Sequence, residues 1–288
     1  MDLATVVRQL LIGISSGMVL YVVAAGIALT LAGMNLINFA QGAFYILGAF
    51  LCFQLTRFTS FWVALLLGPI ILALLGGLME IFLLRRIYKK SFLFQMVLTM
   101  GITFILISVM EFIWGRTGRA VSIPPGLNTF VPLMGMDFPV YYIFIIAISG
   151  VFALVLWLMF EKTKLGMLFR AIISDRGMVG HLGINVSLLC TVMFMFSIWL
   201  SGIAGVAMAP IMGINAENSM NTLFSALIII IVGGLTSLRG TFFAALVVGV
   251  VSSLGVMFLP WFYTLLPATI MVLVLLFKPE GLFEKRGD

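Results

Sequence analysis

The chain has 288 residues, of which 63% are hydrophobic and only 9% charged. A soluble domain carries roughly 25% charged residues. With so few charges and a mean hydropathy of +1.26, a soluble enzyme, a disordered protein and a nucleic-acid binder are all excluded, despite a net charge of +6. The implied solvent is lipid, and at roughly 30 residues per crossing plus connection the length allows about nine crossings.

In chain order, long apolar runs predict helical spans at about 6–31, 35–56, 62–84, 92–114, 139–160, 188–212, 222–235, 240–259 and 261–277. The runs are continuous rather than alternating, and an open sheet edge cannot sit in lipid. The fold class is therefore all-α: a polytopic membrane helix bundle of eight to nine spans in a single transmembrane domain, 1–288. The first run, of about 25 residues, is too long for a signal-peptide core and lacks a basic leader. The segment 222–235 is short and ends in Gly233-Gly234, as a broken or re-entrant helix does.

Charge gives the topology. If all nine runs cross, one face carries the loops near 32–34, 85–91, 161–187 and 236–239 and the tail from 278. That face holds 12 of the 16 basic residues, against Arg8, Arg57, Arg116 and Arg119 on the other. The rule that basic loops stay inside makes the richer face cytoplasmic, with the N-terminus outside and the C-terminus inside. Glu80 and Glu111 lie near span ends, close to Arg85 and Arg116, and are read as interface anchors rather than ion-coupling groups.

Two connections stand out. Residues 115–138, outside, contain Pro124-Pro125-Gly126 and Pro132 and predict a structured surface loop long enough to carry a short helix. Residues 161–187, inside, place Leu165, Leu168, Phe169, Ile172 and Ile173 at helical spacing, which predicts one amphipathic helix lying on the cytoplasmic face. Small residues recur four apart at Gly13 and Gly17, Ala73 and Gly77, and Ala245 and Gly249, a spacing that lets helix backbones approach closely.

The polar groups inside the spans are few. Asn35, Asn38 and Gln41 are three apart and share one helix face. Amides in hydrocarbon need partners, so this face points inward, either to close a broken helix or to line a permeation path. Asn35, at the start of the run, reads as a helix cap. Thr99 and Thr103 are one turn apart and either line the same path or bond to their own backbone. Cys52 and Cys190 read as small core residues, and the lone His181 has no metal-ligand companion. No nucleophile–base pair and no phosphate-binding Gly-rich loop occurs, so the chain itself does not hydrolyse ATP.

Four segments carry a family resemblance. They are Ile37-Asn38-Phe39-Ala40-Gln41-Gly42-Ala43-Phe44-Tyr45-Ile46-Leu47-Gly48-Ala49; Thr163-Lys164-Leu165-Gly166 followed by Arg170-Ala171; Leu182-Gly183-Ile184-Asn185; and Val232-Gly233-Gly234-Leu235-Thr236-Ser237-Leu238-Arg239-Gly240 with the tail Lys278-Pro279-Glu280-Gly281-Leu282-Phe283. In this order they resemble the permease subunits of branched-chain amino-acid ABC transporters, the Liv type, H-like form. Two positions depart from the pattern: Gln41-Gly42-Ala43 replaces His-Gly-Glu, and Arg239 replaces a proline.

The resemblance implies a membrane permease rather than an enzyme. It would form half of a translocation path in a bacterial inner membrane, with Asn38, Gln41, Phe44, Thr99 and Thr103 along that path. It implies a second homologous permease, two ATPase subunits that bind the ATP and Mg, and a periplasmic binding protein, with no cofactor in this chain. The stretch Arg170–Asn185 would hold the coupling helix, with Arg170, Asp175, Arg176, Met178, His181 and Leu182 facing the ATPase. Relatives that import urea, short amides or aromatic acids leave the substrate open. A stand-alone carrier or channel is the alternative of a different class.

Overall fold

The structure, a computed structural model, describes residues 3–88, 90–133, 135–235, 237–278 and 281–282. The motif positions Thr236, Pro279, Glu280 and Phe283 and the basic residues Lys89, Lys285 and Arg286 lie outside them.

Eleven α-helices occur among the described residues. Nine are apolar: α1 (Leu3–Met34), α2 (Gln41–Leu55), α3 (Phe61–Phe82), α4 (Phe92–Trp114), α5 (Val140–Lys162), α8 (Val186–Met208), α9 (Asn218–Gly233), α10 (Leu238–Phe258) and α11 (Leu266–Phe277). Two short ones, α6 (Lys164–Ser174) and α7 (Arg176–His181), follow α5. Six of the apolar helices, α1, α3, α4, α5, α8 and α10, are long and apolar enough to cross a membrane, while α2, α9 and α11 are shorter. At 1.5 Å per residue, the 15 residues of α2 span only about 22 Å of a core of about 30 Å.

The core forms where α2 and α8 pack against α1 and α3. Helix α2 is buried continuously from Gln41 to Phe50, as a helix apolar all round must be. The outer helices leave large apolar side chains uncovered, among them Leu93, Val97, Ile105 and Phe112 of α4 and Leu276 and Phe277 of α11. These are the side chains lipid would cover.

Two of the small-residue pairs fit into each other. A Cβ on Gly17 would stand 2.5 Å from the carbonyl oxygen of Ala245, and one on Gly249 would stand 2.5 Å from the Cα of Gly17. Only glycine lets α1 and α10 come this close.

The structure differs from the sequence reading in three of the connections between helices. The loop 115–138 builds no helix; its end pairs as an antiparallel hairpin, β1 (Phe130–Leu133) with β2 (Met136–Pro139). Pro132 lies on an edge strand, where the lost N–H costs nothing. The expected amphipathic helix in 161–187 is two helices, because Asp175 adopts an extended conformation (φ −156°, ψ 104°) and its side chain caps α7. The span expected from 35 begins as a helix only at Gln41. Asn35 is therefore not a helix N-cap. It follows the last turn of α1 in the left-handed region (φ 51°), where asparagine is one of the few side chains tolerated.

The loops gather at two ends. At one, Arg176 reaches Gly33, Arg239 pairs with Glu161, and Leu282 N–H donates to the Val232 carbonyl. At the other, Trp114 donates to Gln54, and Arg119 bridges Ile214 through both backbone groups.

Candidate functional site

Between Asn35 and Ala40 the chain is non-helical yet turns back into the bundle, so Leu36, Asn38 and Ala40 are fully buried. Backbone polar groups exposed this way need partners in place of helix bonds. Asn38 supplies one, its Oδ1 accepting from Ala40 N–H at 3.1 Å. Thr99 Oγ1 of α4 lies 3.4 Å from the Ile37 carbonyl, with closer alternatives on its own helix at Gln95 and Met96, both 3.1 Å. Thr103 donates to the Thr99 carbonyl at 2.9 Å.

Gln41 is the hub. Its Oε1 accepts from Asn38 Nδ2 at 3.1 Å, and its Nε2 donates to the Ser197 carbonyl at 2.9 Å and to Ser201 Oγ at 2.6 Å. Ser197 Oγ in turn donates to the Gly26 carbonyl at 2.7 Å. The Gln41 amide thus joins α2 to α8, and Ser197 carries the buried seam on to α1. Sequence reasoning found Asn38, Gln41 and the threonines and missed the other side. Ser197 and Ser201 are four apart in a span, a polar pair on one helix face that would have marked them. Phe44 lies one turn into α2 and is also buried.

The second group lies where α1 ends. Glu80, near the end of α3, does not reach the surface but is completely buried. Its Oε2 receives Arg85 at 3.2 Å and Thr191 Oγ1 at 2.7 Å, and its Oε1 receives the Tyr88 hydroxyl at 2.5 Å. Both oxygens are satisfied, which a buried carboxylate requires. Burial first, then the bond to Glu80, pushes the Tyr88 hydroxyl well above its ordinary pKa, so it remains a donor. Glu111 keeps the expected local partner, Arg116, at 3.0 Å.

Arg176, expected to face outward, turns inward. Its Nε donates to the Gly33 carbonyl at 2.8 Å, its Nη2 donates to the same oxygen, and Cys190 Sγ lies 3.6 Å away. The last carbonyls of a helix have no partner within it and carry partial negative charge, so this guanidinium caps α1. Asp175 Oδ1 accepts from the N–H groups of Gly177 and Met178 at 2.8 and 3.0 Å. Met178, His181 and Leu182 remain exposed, Met178 at 64% and Leu182 at 73%. Arg170 borders a separate apolar cavity of about 490 Å³ with Trp157, Phe160 and the Glu161–Arg239 pair.

Residues 9–275 match the family model described as the permease component of the branched-chain amino acid transport system. The chain belongs to this family of permease components. The permease is similar to the probable branched-chain amino acid transport permease protein LivH of Methanocaldococcus jannaschii, 25% identical over 236 residues that cover 77% of this chain and 72% of that one. No solved structure matches. The family is one of transport permeases and not of enzymes, and membership implies association with ATPase and binding-protein partners. Both the Gln41 seam and the Arg176 cap fall within the matched residues.

Proposed function

We propose that this permease forms one half of the translocation path of an importer for branched-chain or other hydrophobic amino acids. A second, homologous permease supplies the other half. Two ATPase subunits bind ATP and Mg and dock on the end formed by α6 and α7, and a binding protein delivers substrate to the opposite end. The observation that carries this reading is the exposure of Met178 and Leu182 on and just beyond α7. Apolar side chains on a short helix at a polar end of the bundle mark a contact surface.

The charge bias supports the orientation, N-terminus outside and C-terminus inside, for a bundle of eight to nine spans with broken or re-entrant helices in a bacterial inner membrane. The gathering of the basic loops at one end agrees with it. The coupling route follows from Arg176. When ATP closes the ATPase pair, α7 moves, and Arg176 transmits the motion to Gly33 and to the non-helical segment that holds Asn38. That segment joins the seam with Gln41, Phe44, Thr99 and Thr103, where the path opens. ATP works here by binding one of two states more tightly.

Affinity purification of the tagged permease, co-expressed with its ATPase, tests the docking surface. The wild type recovers the ATPase, and Met178→Glu with Leu182→Glu loses it. Undiminished recovery by the double variant would show that the ATPase docks elsewhere.

A further inference from the structure

Helices α5 and α10 both pack on α1 but make little contact with each other. The slot left between them is the apolar cavity of about 490 Å³ that Arg170 borders. Its floor is α1, where Ala28 and Ala32 take up little room, and its walls are Trp157 of α5 and Phe242 and Phe243 of α10. Trp157 and Phe243 are 44% and 50% exposed, so the slot opens sideways, to the lipid, rather than into the core. Along α1 it runs from Tyr21 to Ala32, about 16 Å at 1.5 Å per residue. That is close to half of a hydrocarbon core of about 30 Å, the depth of one leaflet.

Charge is confined to one end of the slot. Arg170 of α6, Arg239 at the start of α10 and Glu161 near the end of α5 line it there. Arg239 stands where the family pattern has a proline, and its Nη2 donates to Glu161 Oε1 at 3.1 Å, from α10 to α5. Both partners are exposed, Arg239 by 71% and Glu161 by 47%, and an exposed pair holds only weakly. A guanidinium has five N–H groups, so Arg239 can serve a second acceptor. Arg170 has no ion pair or hydrogen bond among the described residues. Lys162 and Lys164, exposed at the α5–α6 junction, add to the positive charge.

We infer that this slot binds an anionic phospholipid from the leaflet at the α6 end of the bundle. A fatty chain lies along the slot on Trp157, Phe242 and Phe243, where burying apolar surface drives it in. The phosphate sits between Arg170 and Arg239, whose planar forks suit paired bonds to its oxygens. A basic pocket between membrane helices draws an anionic headgroup in this way. The bound lipid adds to the Glu161–Arg239 pair a link from α6 to α10. The inference needs only a chain that lies in a membrane, and holds whatever the permease carries.

The test uses the full-length permease, delipidated in detergent, with dioleoyl phosphatidylglycerol and dioleoyl phosphatidylcholine as probes. The two share their chains and differ in net charge. Binding is read by native mass spectrometry. Phosphatidylglycerol binds about ten-fold more tightly, and it raises the thermal unfolding midpoint as its concentration rises. Arg170→Ala with Arg239→Ala, both at exposed positions, brings the two lipids to within about two-fold of each other. Ala32→Trp fills the slot and weakens both lipids by about ten-fold; should it not fold, the double arginine variant still decides. Equal binding of the two lipids to the wild type, or a preference unchanged in the double variant, overturns the inference. Displacement of phosphatidylglycerol by inorganic phosphate at equal concentration would mean a site for free anions and overturns it too. So would loss of phosphatidylglycerol when the partner permease is added, because the slot would then be covered by a subunit.

Discussion

Gln41 shows how much one side chain can fix in a bundle of apolar helices. Its amide has an acceptor at one end and donors at the other, and the structure fills both, from Asn38 before α2 and from Ser197 and Ser201 of α8. Replacing it with leucine keeps the volume but leaves Asn38 and Ser201 without their bonds. Unpaired buried groups cost about 1–3 kcal/mol each in soluble proteins, and hydrogen bonds between membrane helices average about 0.6 kcal/mol. Gln41→Leu is therefore expected to destabilise the permease by about 1–3 kcal/mol in total, visible as a lower midpoint in thermal unfolding of the detergent-solubilised protein. An unchanged midpoint would mean that the seam contributes nothing to the fold. The residues on the near side of this seam were legible in the sequence, because an amide within an apolar run must find a partner. The far side was fainter: a single serine in a helix can satisfy itself on its own backbone, and only the four-residue spacing of Ser197 and Ser201 marks a shared polar face.

At the scale of elements, close packing and capping decide where helices meet and stop. Gly249→Val places a branched side chain into the backbone of α1, and the expected result is little or no monodisperse protein on size-exclusion chromatography. Gly101→Ala, where an added Cβ meets nothing within 4 Å, is expected to leave the yield unchanged. The contrast separates a packing glycine from a merely helical one. The apolar helices were readable from continuous hydrophobic runs, and apart from the starts expected at 35 and 261 their ends fell within about four residues of the observed ones. The short connections were less readable. Spacing alone carried the helical pattern of 161–187 straight through Asp175, whereas the side chain's bonds to the Gly177 and Met178 N–H groups break it in two. The same happened at Asn35. A polar residue at a run's edge reads as the start of the next helix, and the structure uses it to end the previous one.

For the whole molecule, the proposed function makes the Arg176–Gly33 contact the link between the membrane part and an ATPase outside it. On that proposal the residue that caps α1 from the α6–α7 segment is a mechanical link, and its removal should separate ATP turnover from transport. Arg176→Ala is expected to keep ATPase recovery, because Met178 and Leu182 are untouched, yet to lower substrate uptake per ATP hydrolysed several-fold. An unchanged ratio would place the coupling route elsewhere. The family was legible from four motifs in order. The inward turn of Arg176 was not, because a basic residue in a loop reads equally as a surface charge until its distance to Gly33 is known.

The most direct measurement is amino-acid uptake into proteoliposomes made with this permease alone and with its partner permease, ATPases and binding protein. Leucine should accumulate only in the complete system, and only with ATP. Concentrative or ion-gradient-driven uptake by the single chain, without ATP, would contradict a permease whose motor is a separate subunit.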